Sequence, residues 1–235
     1  MPVYNEAAFI KNCLDAIAKQ TRLPDVVYIV DNNSTDDSIK IAEAYPFVKV
    51  IQEHTQGICA VAKKGLDVAA GNGGIILRLD ADCQPTKDWV EKISANFISD
   101  NSVVATTGPG VTYDANPVVK VLFSALYMKP YFWLVSSALG RKPLFGLNFA
   151  IKADTWKRVS NHTHLSLYQN IHDDMDISYH ILNEGDIKYD PTLKMPLSAR
   201  PFRASFPKVV ARYAAGFRSI FIHWPQQAPW VNWTK

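Results

Sequence analysis

The stretch Ile75-Ile76-Leu77-Arg78-Leu79-Asp80-Ala81-Asp82 decides how this sequence is read. Its first five residues form a mostly apolar run of strand length, with Gly73-Gly74 before it and two acids after it. Such a run suits a buried parallel strand, here one that delivers Asp80 at its carboxyl end. Two acids flanking one residue in the following loop can both reach a hard cation. A divalent ion held there can also carry a diphosphate. A solvated loop with a helix cap would use the same residues, and the acid pair alone would favour that plainer account.

Working outward, helical and strand periodicities alternate. Asn5 is placed to cap a helix whose apolar positions are Ile10, Cys13, Leu14 and Ile17. Residues 26–30 read as a short buried strand ending at Asp31, 38–44 as helix and 48–51 as strand. Gly57 opens a helical stretch through residue 69; 89–97 is helical and 103–106 strand-like. This alternation predicts an α/β protein with a doubly wound, mainly parallel sheet flanked by helices. Ligands of such sheets bind at the carboxyl ends of strands, where Asp31 and Asp80 both lie. The second half is less regular. One or two aromatic-rich helices are expected over 117–139, a strand within 145–152 followed by an Asp154 cap, a helix over 172–183, a short strand at 187–189 and an amphipathic helix over 209–222 with Arg212 and Arg218 outward.

The chain has 235 residues, 48% hydrophobic and 20% charged, enough for one sizeable core. The expected organisation is a domain over 1–195 with a basic, aromatic extension over 196–235. The net charge is +3 and no block of Lys and Arg occurs, which argues against a nucleic-acid partner. Seven cations and no acid fall between Lys194 and Lys235, so the tail is expected to face a phosphate or lipid headgroup. Trp224, Trp230 and Trp233 could grip a membrane interface or stack on sugars, with core packing or disorder near the terminus at least as favoured. Cys13, Cys59 and Cys83 show no metal-ligand spacing and favour a reducing compartment. The sequons at Asn32, Asn161 and Asn232 then carry no meaning. No signal peptide is read at the start. The best membrane candidate, 121–139, is interrupted by Lys129-Pro130, so packing on the core is the favoured reading. The expected location is the cytoplasm, with peripheral contact at the inner face of a membrane left open.

Two further segments carry chemistry. Asp31-Asn32-Asn33-Ser34-Thr35-Asp36 can accept hydrogen bonds from a base or ribose, or form an Asx turn capped by Thr35 or Asp36. His172-Asp173-Asp174-Met175-Asp176 places acids at a helix start, which the macrodipole favours. Three carboxylates in four positions also repel one another, which raises the pKa of at least one, as suits a general base.

Taken together, these segments resemble the inverting family 2 glycosyltransferases with the GT-A fold. Pro2-Val3-Tyr4-Asn5-Glu6 is similar to that family's first-strand-to-helix signature, the Asp31 segment to its nucleoside-contacting turn, and Asp80-Ala81-Asp82 to its metal-binding acid pair. Gly146-Leu147-Asn148-Phe149-Ala150-Ile151 resembles the strand lining the acceptor side, and Asp173-Asp174 the acidic pair that includes the base. The resemblance covers roughly residues 1 to 190, and the order and spacing of all five motifs agree.

It implies a sugar-nucleotide donor, foremost a UDP-sugar, a Mn2+ or Mg2+ cofactor, and a glycan, lipid-linked or other hydroxyl acceptor such as a cell-envelope glycan. Tyr4 and Glu6 would border the base, Asp31 would bind base or ribose, Lys63 would serve as a basic donor contact, and Asp80 would lie on the ribose or diphosphate side. Asp82 would bind the metal with Asp80, and His223 could complete that site. Asp174 would act as base, with Asp173 orienting it or touching the acceptor.

The family's strand before the first proline is expected to be missing, since Met1 occupies that place. A Gln-x-x-Arg-Trp segment after Asp176 is also lacking, which favours single addition over processive synthesis. Two other functions compete. A nucleotidyltransferase making sugar nucleotides would carry a Gly-rich basic loop where Asn5-Glu6-Ala7-Ala8 stands. A degenerate domain would bind nucleotide or glycan, or scaffold a partner, without turnover.

Overall fold

A computed structural model describes residues 1–168, 170–200 and 206–223. The first half follows the expected alternation: β1 (Pro2–Val3), α1 (Ile10–Ala18), β2 (Val27–Asp31), α2 (Ser38–Glu43), β3 (Val48–Gln52), α3 (Ile58–Gly71), β4 (Ile75–Arg78), α4 (Trp89–Ser99) and β5 (Val103–Thr107). Then come β6 (Gly110–Thr112), α5 (Pro117–Phe123), α6 (Lys129–Leu139), β7 (Phe149–Lys152), α7 (Ala153–Val159), α8 (Asp173–Ile181), β8 (Asp186–Tyr189), β9 (Met195–Leu197) and α9 (Phe206–Ile222).

Strands β1, β2 and β3 pair in parallel. A second sheet has the order β4-β7-β5-β8, with β7 antiparallel to both neighbours and β5 parallel to β8. Helices pack on these sheets through one large apolar cluster that joins Ile10, Leu14 and Ile29 to Trp89, Ile93 and Ala150. The four apolar positions expected to bury α1, namely Ile10, Cys13, Leu14 and Ile17, all do so.

The first strand is not missing: Pro2 and Val3 pair with Val30 and Asp31, just before the first functional loop. Along the same line lies a cavity of about 500 Å³, bordered by Val27 of β2, Ile76 of β4 and Val61 of α3.

Asn5 does not cap α1. It takes a left-handed φ of 54°, and its side-chain oxygen accepts the Thr35 N–H at 2.8 Å. Asp154 lies in the first turn of α7 rather than at its cap. Only the last four residues of the expected 145–152 strand are extended.

Lys129-Pro130 does not interrupt the apolar helix. Residues Ser124–Met128 form a π-helical turn between α5 and α6, which absorbs the missing proline donor. The continuous helix Pro117–Leu139 is long and apolar enough to cross a membrane by length and composition. Phe123, Met128, Phe132, Val135 and Leu139 bury one face, while Val118, Val121, Leu126 and Trp133 on it are exposed.

A short parallel pair, β6 with β9, brings the chain after β8 back across the site. Leu197 bridges Cys83, and the Gln84 N–H donates to the Pro196 carbonyl at 2.8 Å. On the other side Asp114 accepts from the Ser198 hydroxyl at 2.8 Å and the Ala199 N–H at 2.7 Å. Residues 195–200 are thereby clamped beside the Asp80–Asp82 loop. Arg218 of α9 is exposed as expected; the Arg212 side chain, Trp224, Trp230 and Trp233 lie outside the described residues.

Candidate active site

Two loops leave the first sheet at one rim. Asp31 ends β2, and its Oδ1 accepts the Ser34 N–H at 3.0 Å, so it forms the Asx-type turn its sequence allowed. The neighbouring Asn32 is buried and donates to the carbonyls of Glu53 and Thr55 at 2.9 Å while accepting from the Gly57 N–H at 2.9 Å. Gly57 has φ 132°, a conformation that a Cβ would strain, and from there α3 starts. The loop after β1 is fastened to the same turn: Asn5 N–H donates to Ser34 Oγ, Glu6 N–H to Ser38 Oγ and Ala7 N–H to Asp36. Tyr4, 52% exposed, and the buried Asp31 lie at the ends of the adjacent strands β1 and β2.

Asp80 and Asp82 follow β4. Arg200 ties Asp82 to the first loop, with two 2.9 Å hydrogen bonds to Glu6 and a third at 3.1 Å to Asp82. Burial and the neighbouring Asp80 charge push Asp82 up to about 6, against the pull of Arg200. Asp80 is raised as well, by burial first, with Arg78 opposing and Asp173 adding.

Arg78 is the hinge of the charge arrangement. It is buried at the end of β4, pairs with Asp80 at 2.7 Å and with Asp173 at 3.2 Å, and donates to the Gly146 carbonyl. Burial lowers its pKa, but Asp80, Asp173 and Asp174 outweigh that and keep the guanidinium firmly charged. Among the described residues Arg78 Nε makes no hydrogen bond, and Asp173 Oδ2 meets the Arg78 guanidinium at 3.2 Å without one.

Asp174 sits one residue further into the first turn of α8. Its Oδ2 accepts the Gly146 N–H at 2.7 Å and lies 3.1 Å from the Tyr131 hydroxyl; its Oδ1 accepts the Met175 N–H at 2.8 Å. Burial and the adjacent Asp173 raise its pKa, with His172 opposing. A Cβ at residue 146 would stand 3.1 Å from Asp174 Oδ2, so glycine is what lets the backbone N–H reach the carboxylate.

Of the residues singled out from sequence, Arg200 links Glu6 to Asp82 and Arg78 links Asp80 to Asp173, while Asp174 accepts from the N–H of Gly146, whose carbonyl Arg78 meets. Lys63 is not linked to them: at helical i,i+4 spacing its ammonium pairs with Asp67 at 2.7 Å and faces the Trp156 ring. His223 does not complete an Asp82 site either, because its ring nitrogens meet Ser219, Asp176 and His180 instead. Sequence reasoning missed both arginines. A charged residue inside the apolar run 75–79 is the one signal that could have found Arg78.

The donor set formed by Asp80 and Asp82 fits a hard divalent ion, Mn2+ or Mg2+. Two mutually repelling carboxylates, one of them buried, offer oxygen ligands only, and five acids face two guanidinium groups across the site.

Comparison with known proteins agrees with this geometry. The family described as Glycosyl transferase family 2 matches residues 1–153. Glycosyltransferase AglE of Haloferax volcanii is 36% identical over 99 residues, which are 39% of this chain and 32% of that protein. The chain thus aligns with about a third of that relative's length. Glucosyl-3-phosphoglycerate synthase of Mycobacterium tuberculosis, solved with Mn2+, UDP and glucosyl-3-phosphoglycerate, superposes with TM-score 0.60 at 17% identity, covering 94% of this chain and 77% of that one. The mannosyltransferase PcManGT of Pyrobaculum calidifontis, solved with GDP-Man and Mn2+, gives TM-score 0.57 at 18% identity, covering 99% and 70%. These neighbours share the GT-A fold.

Proposed function

The chain belongs to glycosyl transferase family 2, and on that premise we propose that it transfers a sugar from a nucleoside-diphosphate donor, foremost a UDP-sugar, to an acceptor hydroxyl with inversion. The observation that carries the reading is the double pairing of Arg78. One buried guanidinium holds Asp80 and Asp173, so the strand end offered to the donor and the helix start offered to the acceptor form one site.

Tyr4 and Asp31 border the nucleoside, and Glu6 keeps Arg200 at the donor side. Asp82 and Asp80 would hold a divalent ion, which when bound would neutralise charge on the diphosphate. Asp174 accepts the proton of the acceptor hydroxyl as that oxygen bonds to the anomeric carbon and the bond from this carbon to the diphosphate breaks. Attack from the face opposite the leaving group inverts configuration. A carboxylate whose pKa burial has raised is a better base than a solvated one, provided it stays ionised at working pH. Asp173, pinned by Arg78, fixes where that base stands. The bound nucleotides of the two structural neighbours, UDP and GDP-Man, support a diphosphate donor.

The acceptor is read as a molecule carried at an anionic lipid surface, such as a lipid-linked glycan. The exposed apolar residues of Pro117–Leu139 and α9, together with the basic tail, support this.

Calorimetric titration with UDP, GDP and dTDP, each with and without manganese, tests the donor assignment. Metal-dependent binding of one nucleotide is expected. Absence of binding to all three, by folded protein, would favour a domain without turnover.

A further inference from the structure

Away from the carboxylates of the donor side, four potential metal ligands converge from three segments. His164 lies in a single 3-10 turn (His164–Ser166), Asp176 and His180 are one turn apart on α8, and His223 follows the last turn of α9. One ligand atom from each lies within 4.8 Å of all the others. Asp176 Oδ1 is 2.8 Å from His164 Nδ1, 3.2 Å from His223 Nε2 and 3.7 Å from His180 Nε2. His180 Nε2 is 3.4 Å from both His164 Nδ1 and His223 Nε2. Ligands about 2.0–2.1 Å from a tetrahedral zinc ion lie roughly 3.3 Å apart. Five of the six edges of this tetrahedron therefore have nearly the required length before any ion is placed.

The protonation pattern points the same way. His223 Nδ1 lies 2.7 Å from the Ser219 carbonyl, which can only accept, so that nitrogen carries the proton. The ring's Nε2 faces the fully buried Asp176 carboxylate across 3.2 Å. In a dry interior either a proton or a metal ion between the two groups satisfies such a contact. That orientation, with Nδ1–H anchored on a backbone carbonyl and Nε2 turned to the other three groups, is the usual outer-shell arrangement of a metal-binding histidine. Asp176 is held in turn, its Oδ2 accepting the His164 N–H at 2.9 Å, and the His223 ring stacks on Tyr179 with centroids 4.0 Å apart.

We propose that His164, Asp176, His180 and His223 form a closed structural Zn2+ site, separate from the ion held by Asp80 and Asp82, that fastens the end of α9 to α8. Three imidazoles and one carboxylate suit zinc, whereas the all-oxygen pair at Asp80 and Asp82 suits Mn2+ or Mg2+. Four protein ligands leave no open position for a substrate, so the ion is structural. Because Asp176 shares the first turns of α8 with Asp173 and Asp174, the ion also fixes the register of the helix that carries the proposed base.

The test uses the whole chain, with elemental analysis of the isolated protein and Co2+ titration after chelation. One zinc per chain is expected as isolated. The chelated protein should bind Co2+ with the intense visible absorption of tetrahedral coordination, displaceable by Zn2+, and zinc at a hundredfold excess over Kd should raise Tm by roughly 5–10 °C. Asp82→Asn should leave all of this unchanged, which separates the site from the donor-side ion. His223→Ala should weaken zinc binding more than about tenfold. If that variant does not fold, the cobalt spectrum of the wild-type chain decides. A folded chain that retains no zinc and gives only the weak absorption of octahedral cobalt overturns the proposal, and means that a proton on the histidines fills the gap.

Discussion

Arg200 Nη2 stands 3.1 Å from Asp82 Oδ2 while the same guanidinium closes two bonds onto Glu6. An internal cation thus occupies the carboxylate proposed to receive a divalent ion. The two should compete. Replacing Arg200 with Met removes a half-exposed ion pair worth up to about 1 kcal/mol, so Mn2+ alone should bind roughly three- to fivefold tighter. Calorimetry with Mn2+ in the absence of nucleotide measures this. Weaker binding in the variant would mean that Arg200 organises the acids rather than competing for them.

The base assignment separates chemistry from binding. Asp174→Asn should lower kcat by about a hundred- to ten-thousand-fold with nucleotide affinity unchanged. Asp82→Ala should instead weaken metal-dependent nucleotide binding. Gly146→Ala is the subtler case: its new methyl would sit 3.1 Å from Asp174 Oδ2 and displace the 2.7 Å backbone bond. Its kcat should fall while UDP binding holds. Equal losses of nucleotide binding in Asp174→Asn and Asp82→Ala would refute the division of roles.

Much of this site was legible because acids placed at the ends of apolar runs betray themselves. Asp31, Asp80 and Asp174 each follow or open a segment whose periodicity is clear. The two arginines were not legible for opposite reasons. Arg78 breaks an apolar run, which signals a cost but names no partner, and Arg200 acts across 118 and 194 residues. The β6–β9 pair escaped because each strand has three residues, too few for an alternation to register, and Pro196 stands in one of them. The histidine cluster draws on three segments, and its one sequence trace is the i,i+4 pair Asp176 and His180. Asn5 looked like a cap because asparagine commonly is one, but it also tolerates the left-handed conformation, and here the turn at Thr35 claimed it.

Arg78 carries a stability prediction as well. Its removal would leave Asp80 and Asp173 without their buried cation, and breaking a buried pair from one side typically costs about 3–5 kcal/mol. Arg78→Met should therefore lower the unfolding free energy in urea by about that much. A loss below about 1 kcal/mol would mean that solvent or proton uptake compensates both acids.

The three thiols should be inert in the native state. Burial raises all three: Cys59 to about 12, with Asp173 adding to the effect, and Cys13 and Cys83 further still. A group held protonated to so high a pH presents almost no thiolate at pH 8, and none of the three is exposed. Ellman's reagent at pH 8 should label no cysteine until denaturant is added, then all three. Rapid labelling of one without unfolding would reveal local opening at that position.

Membrane contact is tested by the outward face of Pro117–Leu139. Leu126 is 69% exposed and Trp133 68%, and on α9 Phe217 and Phe221 are exposed as well. Each large apolar side chain moved from water into lipid contributes about 1.5–3 kcal/mol, and each nearby cation about 1 kcal/mol at an anionic surface. Both helices pack against the apolar cluster built around Met175 and Tyr179 of α8, α6 through Val135 and Leu139 and α9 through Ile220, so two apolar stripes flank the helix that carries Asp174. The full chain should therefore sediment with vesicles containing anionic lipid, and Leu126→Gln with Trp133→Ser should cut that binding at least tenfold while soluble-donor hydrolysis is spared. The electrostatic share should fade with salt, and the apolar share should not. Unchanged sedimentation of the double variant would mean that the exposed stripe faces protein rather than lipid.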